Sequence, residues 1–269
     1  MGKNNTTKIS LGPNETTVVA RLSYEKATVV TLEQLKALFG FDNTSMNRIV
    51  FRLKKKGILR PIKKGIYFYS PLESGPAGRN INEFLVPSLL YPKGNYYVGY
   101  GTMYNYYGFT DQIFQQMCIL NTSKQYQKAI GGMMFKMIKI APRRLYGLET
   151  IKIRGVEVIV SDKERTLVDL VNFSKPVGGL KQALNILKEQ VLTKQVNTKK
   201  LIKYASQFPI ASTRKRIGFI LEEADLPDEV LKPLTKSVDK TSFSTLYDIR
   251  SRKGKINKRW RLIENAAAS

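Results

Sequence analysis

Between Thr31 and Tyr69 the apolar positions change period, and the change outlines the local fold. Met46, Ile49, Val50 and Leu53 recur at i, i+3, i+4 and i+7, the stripe of a helix resting one side on a core. Upstream, Thr31 and Gln34 have the form of a capping box that opens a short helix through Phe39, which Gly40 ends. Asp42, Asn43, Thr44 and Ser45 offer caps for the second helix, which the spacing carries to Lys56 with Gly57 as its stop. Beyond it, Ile58 to Pro61, Ile62 to Gly65 and Ile66 to Tyr69 read as strand, basic turn and strand. Two short helices at a tight turn followed by a basic hairpin predict a winged helix-turn-helix. Further on, β-type runs at Gln112 to Leu120, Met133 to Ile140 and Val156 to Val160 predict a mixed α/β part. Helical spacing in Leu180, Leu184, Leu187, Val191 and in Ile217, Ile220, Leu221 predicts a helical part after it. The expected class is α+β. A DNA-binding domain over 1–78 ends in the linker-like Pro71, Gly75, Pro76 and Gly78, and residues 79–269 form the mixed and helical remainder.

Charge sharpens this picture. The 269 residues hold 45 Lys plus Arg against 21 Asp plus Glu, a formal +24, with hydrophobic residues at 42%, so the excess sits on folded surfaces and points to a polyanionic partner. Residues 1–78 carry +8, and from Asn43 to Leu72 eight basic residues stand without one acid. The outward side of the second helix would present Asn43, Thr44, Ser45, Asn47, Arg48, Arg52 and Lys55, types that reach base edges and phosphates from the major groove. Lys63 and Lys64 would extend that surface in the hairpin. The plainer account is a solvated amphipathic helix beside a basic turn.

Other chemistry is sparse. The absence of histidine and the single Cys118 remove the commonest general base, intrachain disulfides and cysteine-based zinc sites. No Asp or Glu has Lys two positions later, so the acid-x-Lys pattern of restriction-type nucleases is missing. Glu157, Asp162, Glu164 and Asp169 lie close in sequence, but Ser161 to Glu164 reads as a capping box at a strand-to-helix change, with Leu167, Leu170 and Val171 as the helix's buried face, and Asp169 can pair with Arg165 at i, i+4. Neither a metal site, a cofactor nor an enzymatic activity is expected. Seven of 14 tyrosines fall between Tyr91 and Tyr107; Tyr100, Tyr104 and Tyr107 would share a helix face and fill a core rather than stack on bases. Gly131 and Gly132 suggest a turn between strands. Arg250 to Arg261 holds seven cations, read as a basic approach to a docked strand anchored by Trp260, Leu262 and Ile263, or as an arm along a phosphate backbone. The first twenty residues lack a signal-like apolar core and no stretch approaches the roughly 18 to 20 apolar residues of a membrane span, so a cytoplasmic protein is expected.

The order of these pieces resembles the AbiEi antitoxins of bacterial type IV toxin-antitoxin systems. The matching segments are Thr31 to Phe39, Asn43 to Lys56, Gly57 to Tyr69, Tyr97 to Leu120 with Gly108, Phe109 and Thr110, Gly155 to Asp169, and Asn257 to Ile263. The resemblance implies a winged-helix domain that binds inverted repeats in its own promoter and represses its operon. It also implies a C-terminal domain that counters a nucleotidyltransferase-like toxin without requiring a stable complex with it. DNA contacts would fall on Ser45, Asn47, Arg48, Arg52, Lys63 and Lys64, and no catalytic residue is carried over. The competing reading is an architectural protein that binds DNA or RNA without reading sequence, since the rest of the chain carries +16 of the +24.

Overall fold

The computed structural model describes residues 10–74, 82–248 and 252–265. Its contacts group the chain into two units, Met1–Leu90 with Lys128–Met134, and Tyr91–Gln127 with Phe135–Ser269. The expected boundary at residue 78 lies outside the described residues, as do Gly75, Pro76 and Gly78 of the anticipated linker.

In the first unit Thr31 caps α2 (Leu32–Phe39) as its sequence requires: Thr31 Oγ1 accepts from Gln34 N at 3.0 Å and Gln34 Oε1 accepts from Thr31 N at 2.8 Å. Gly40 ends the helix in the left-handed region at φ 62°, which a side chain would strain. Asp42 then caps α3 (Asn43–Lys55), accepting from Thr44 N at 2.8 Å and Ser45 N at 2.9 Å. The expected stripe of Met46, Ile49, Val50 and Leu53 is buried. α3 packs on α2 and on α1 (Pro13–Tyr24), a helix the apolar pattern did not indicate because only Val18, Val19 and Leu22 carry its inner face. Strands β1 (Val29–Thr31), β2 (Leu59–Lys63) and β3 (Ile66–Tyr69) form an antiparallel sheet in the order β1-β3-β2. Lys63 pairs with Ile66, so Lys64 and Gly65 alone make the hairpin tip, and Ile62 sits at a bulge that turns it into the core. A short α4 (Leu85–Leu90) completes the helices of this unit.

A six-stranded sheet follows, ordered β6-β7-β5-β4-β9-β8. Its strands are β4 (Tyr96–Gly99), β5 (Gln116–Asn121), β6 (Tyr126–Ile130), β7 (Met133–Lys139), β8 (Leu148–Ile153) and β9 (Val156–Ser161), and β6 turns into β7 at Gly131 and Gly132. β4 pairs antiparallel with β5 and parallel with β9. Two expectations shift here. The run from Gln112 becomes strand only at Gln116, because Asn105 Nδ2 holds the carbonyls of Thr110 and Gln112 in a loop that leaves Ile113 90% exposed. Tyr100 stands before α5 (Gly101–Tyr106), at φ 53°, rather than on it; Tyr97, Tyr100 and Tyr104 are buried together, whereas Tyr107 follows the helix.

The capping box read at Ser161 also moves. Ser161 is still paired with Leu148 across β8 and β9, so the cap of α6 (Lys163–Asn172) is Asp162, which accepts from Arg165 N at 2.8 Å. Glu164 does not turn back to Ser161 but accepts from Asn197 N at 2.9 Å. Helices α7 (Leu180–Leu192), α8 (Thr198–Ser206) and α9 (Ala211–Glu223) pack around α6, the expected Leu184, Leu187, Ile217 and Leu221 being buried in that core, and α10 (Asp228–Val238) packs on α8 and α9. A last sheet, β10-β12-β11, comprises β10 (Ser244–Thr245), β11 (Gly254–Asn257) and β12 (Leu262–Asn265). Trp260 before β12 is wholly buried against Gly218, where any side-chain carbon would collide with the indole, and its Nε1 donates to Glu222 Oε2 at 2.6 Å. The described residues thus hold ten α-helices and three sheets in an α+β arrangement, and no described helix is long and apolar enough to cross a membrane.

Candidate nucleic-acid interface

The predicted contact residues converge on α3 and the β2–β3 tip, and the structure divides them into two groups. With Met46, Ile49 and Leu53 inward, helical phase puts Thr44, Arg48 and Lys55 at the centre of the outward side, with Asn47 on one flank. All four are exposed, as is Asn43 at the first turn. Ser45 and Arg52 lie on the other flank, where with Arg48 and Ile49 they line a cleft of about 280 Å³ against Gly12, Pro13, Asn14 and Glu15 of the α1 start.

That cleft is not simply positive. Glu15 is 2% exposed, accepts from Gly12 N at 3.2 Å, forms an ion pair with Lys56 Nζ and lies 3.7 Å from Arg52 Nη1. Burial works against its charge, yet the Lys56 and Gly12 hydrogen bonds prevail and hold its carboxyl below the usual carboxylate range. Part of the Arg52 charge is therefore answered within the protein. Asp42, a second acid near the face, is turned toward the backbone; the hydroxyl and amide of Ser45 hold its carboxyl low. Among the described residues no carboxylate forms an ion pair with Arg48, Lys55, Lys63 or Lys64. Lys64 is exposed at the tip and Lys63 half-buried beside it.

Sequence reasoning missed one member of this face. Phe51 is 55% exposed in the same outward row, with Lys55 Nζ 5.0 Å from its ring centroid. Helical phase contains that signal, since position 51 lies two turns beyond Thr44, but apolar residues in an amphipathic helix are ordinarily assigned to the core.

Of Glu157, Asp162, Glu164 and Asp169, only Asp162 and Glu164 come together, sharing Lys200 Nζ at 3.1 and 3.2 Å. Glu157 is exposed opposite Lys152, Asp162 caps α6, and Glu164 binds Asn197 N and Lys200. Asp169 is wholly buried, with Arg165 Nη2 at 3.0 Å, Arg144 Nη2 at 3.4 Å and the Tyr97 hydroxyl donating at 3.1 Å. Burial opposes the charge of Arg165, but Asp169 and the neighbouring Tyr97 and Tyr146 outweigh it and raise its pKa. The guanidinium carbon lies 4.4 Å from the Tyr146 ring centroid and 5.3 Å from that of Phe208. Among the described residues no cluster of three His, Cys, Asp or Glu is placed to hold a metal, and burial pushes the Cys118 thiol up to about 11.

The C-terminal basic stretch is partly turned inward. Arg250 lies outside the described residues, while Arg259 pairs with Glu222 at 2.6 Å and Asp228 at 2.8 Å, and Arg261 covers the Phe243 ring at 4.9 Å. Those two side chains serve the docking of Trp260 and β12, in keeping with the reading of a docked strand and against an arm made of the whole stretch. A separate cleft of about 760 Å³ between α8 and α10 is lined by Ile202, Val230 and Pro233 and by the exposed Lys199, Lys203, Lys236 and Glu229.

No family model matches the chain, and no curated protein matches it. Its fold is similar to the crystal structure of the RV2827C protein from Mycobacterium tuberculosis, with a TM-score of 0.63 at 15% identity, covering 95% of this chain and 92% of that chain. At that identity the likeness concerns the fold alone, an α+β arrangement matched along nearly the whole of both chains.

Proposed function

We propose that the first unit is a winged helix-turn-helix domain, with α3 as its recognition helix and the β2–β3 hairpin as its wing, and that the protein is a sequence-specific transcriptional repressor of its own operon. The observation that carries the reading is the outward side of α3. Asn47, Arg48 and Lys55 stand exposed there with no ion-paired carboxylate among the described residues, on a helix whose opposite side is fixed in a core. Bidentate donors of this kind discriminate bases in the major groove, and the lysines of the hairpin are suited to flanking phosphates.

The AbiEi resemblance extends the proposal to double-stranded DNA with inverted repeats as the partner and to an antitoxin role against a nucleotidyltransferase-like toxin, carried by the second unit and exerted in the cytoplasm. Restoration of growth on co-expression with the toxin encoded beside it tests that part. No catalytic step, metal or cofactor enters the reading. A second reading, architectural binding to DNA or RNA, is favoured by the spread of cations over the whole chain, including the lysines of the α8–α10 cleft.

Two substitutions distinguish them. Arg48→Ala is expected to cost about 1–3 kcal/mol on the operator and to relax sequence preference, whereas Lys63→Ala weakens operator and random duplex alike and lowers the salt slope by about one. Fluorescence anisotropy on both duplexes reads the difference. Equal losses for both substitutions on both duplexes would remove the base-reading role of Arg48 and favour the architectural reading.

A further inference from the structure

We infer that Phe51 reads the 5-methyl group of a thymine, so that the operator depends on a thymine beside the base pair contacted by Arg48. This rests on the DNA-reading role of α3 proposed above and names the chemistry that α3 selects. Thr44, Arg48, Phe51 and Lys55 follow one another at i, i+4, i+7 and i+11, a row running straight down the side opposite Met46, Ile49 and Leu53. Three of the four are polar. The fourth is a phenyl ring left 55% in water on a helix whose core positions are all buried. Among the described residues, the buried cluster of the first unit includes Met46, Ile49, Val50 and Leu53 but not Phe51.

The surroundings of the ring narrow its partner. Lys55 Nζ rests 5.0 Å from the centroid, and Arg48 is one turn earlier on the row. A surface this cationic repels a second copy of itself, which argues against Phe51 as a self-association contact and for a polyanion. On a DNA major groove the thymine methyl is the most prominent apolar group, so it is the feature most complementary to an apolar ring inside a donor-rich face. The spacing is compatible with two neighbouring contacts. Residues 48 and 51 are about 4.5 Å apart along the helix axis, against about 3.4 Å between base pairs. A guanine met by Arg48 and a thymine met by Phe51 therefore fall on adjacent base pairs.

Exchange of thymine for deoxyuridine removes only the methyl group and tests the inference. The full-length protein and its Phe51→Ala variant are titrated against a duplex from the protein's own upstream region, the same duplex with deoxyuridine for every thymine, and a scrambled duplex. The native protein is expected to bind the deoxyuridine duplex about tenfold more weakly, the scale of one base contact. Phe51→Ala is expected to bind both forms equally, near the native value for the deoxyuridine form, with its weak binding to scrambled DNA and its melting temperature unchanged. Equal native affinity for both forms, or a thymine preference that survives in Phe51→Ala, overturns the inference while leaving operator recognition intact. A Phe51→Ala variant that changes sedimentation but keeps the thymine preference assigns the ring to self-association and overturns it too. Absence of any native preference over scrambled DNA is a different result, and overturns the DNA-reading role on which the inference rests.

Discussion

Asp169→Ala is expected to destabilise the second unit by about 3–5 kcal/mol, the cost of leaving a buried charge without its partner. Arg165 is fully buried, and Asp169 receives its Nη2 at 3.0 Å and its Nε at 3.3 Å. Arg144, itself largely covered, approaches the same carboxylate at 3.4 Å, and the Tyr97 hydroxyl donates to it at 3.1 Å. One anion thus answers two guanidinium groups inside α6 and the strands around it, and alanine would leave both cations facing aromatic rings. Asp169→Asn retains an acceptor but not the charge and should fall between the two. The pair Arg165→Met with Asp169→Leu should cost less than Asp169→Ala alone, because apolar side chains of similar volume leave only Arg144 uncompensated. Trp260, the single tryptophan, lies in the same unit and reports its urea unfolding by fluorescence. An Asp169→Ala midpoint equal to that of the native protein would show that the carboxylate does not stabilise this core.

DNA association should weaken by about 10³- to 10⁵-fold between 50 and 200 mM salt if the basic face meets about 6 to 10 phosphates. Cations placed for this include Arg48, Lys54 and Lys55 on α3 and Lys63 and Lys64 at the hairpin, and a second copy on an inverted repeat would double them. Arg52 and Lys56 contribute less, since Glu15 already answers them. The logarithm of the binding constant plotted against the logarithm of salt concentration measures the effect. Glu15→Gln should steepen that slope by releasing Arg52 and Lys56, while weakening the seat of α1 on α3. A flat salt response would mean that these side chains do not meet phosphates.

How much of this was legible beforehand depended on whether a residue's surroundings are local. α2 and α3 could be read because their caps, stops and inner stripe lie within a few residues of one another: Thr31 with Gln34, Asp42 with Ser45, Met46 with Leu53. α1 escaped because its stabilising contacts are distant, Glu15 to Lys56 and Val18 and Leu22 to the core. The Arg165–Asp169 pair was visible at its i, i+4 spacing, but its burial was not. The signal lay in Leu167, Val168, Leu170 and Val171, apolar positions on both sides of Asp169 that leave α6 no solvated side. At the C-terminus Trp260, Leu262 and Ile263 announced a docked strand, but not that Glu222 and Asp228 on α9 and α10 draw Arg259 inward from far along the chain. On the outward side of α3 the exposed polar residues could be read from helical phase, and so could Phe51, but apolar residues of an amphipathic helix are ordinarily assigned to the core.

The most direct measurement of the central proposal is the affinity of the purified full-length protein for a duplex from its own upstream region against a scrambled duplex of equal length and composition, at about 150 mM salt. A preference of about 10³-fold or more is expected for a repressor that reads sequence through α3. Equal affinity for the two duplexes would contradict it, and would assign the basic surface to general association with nucleic acid.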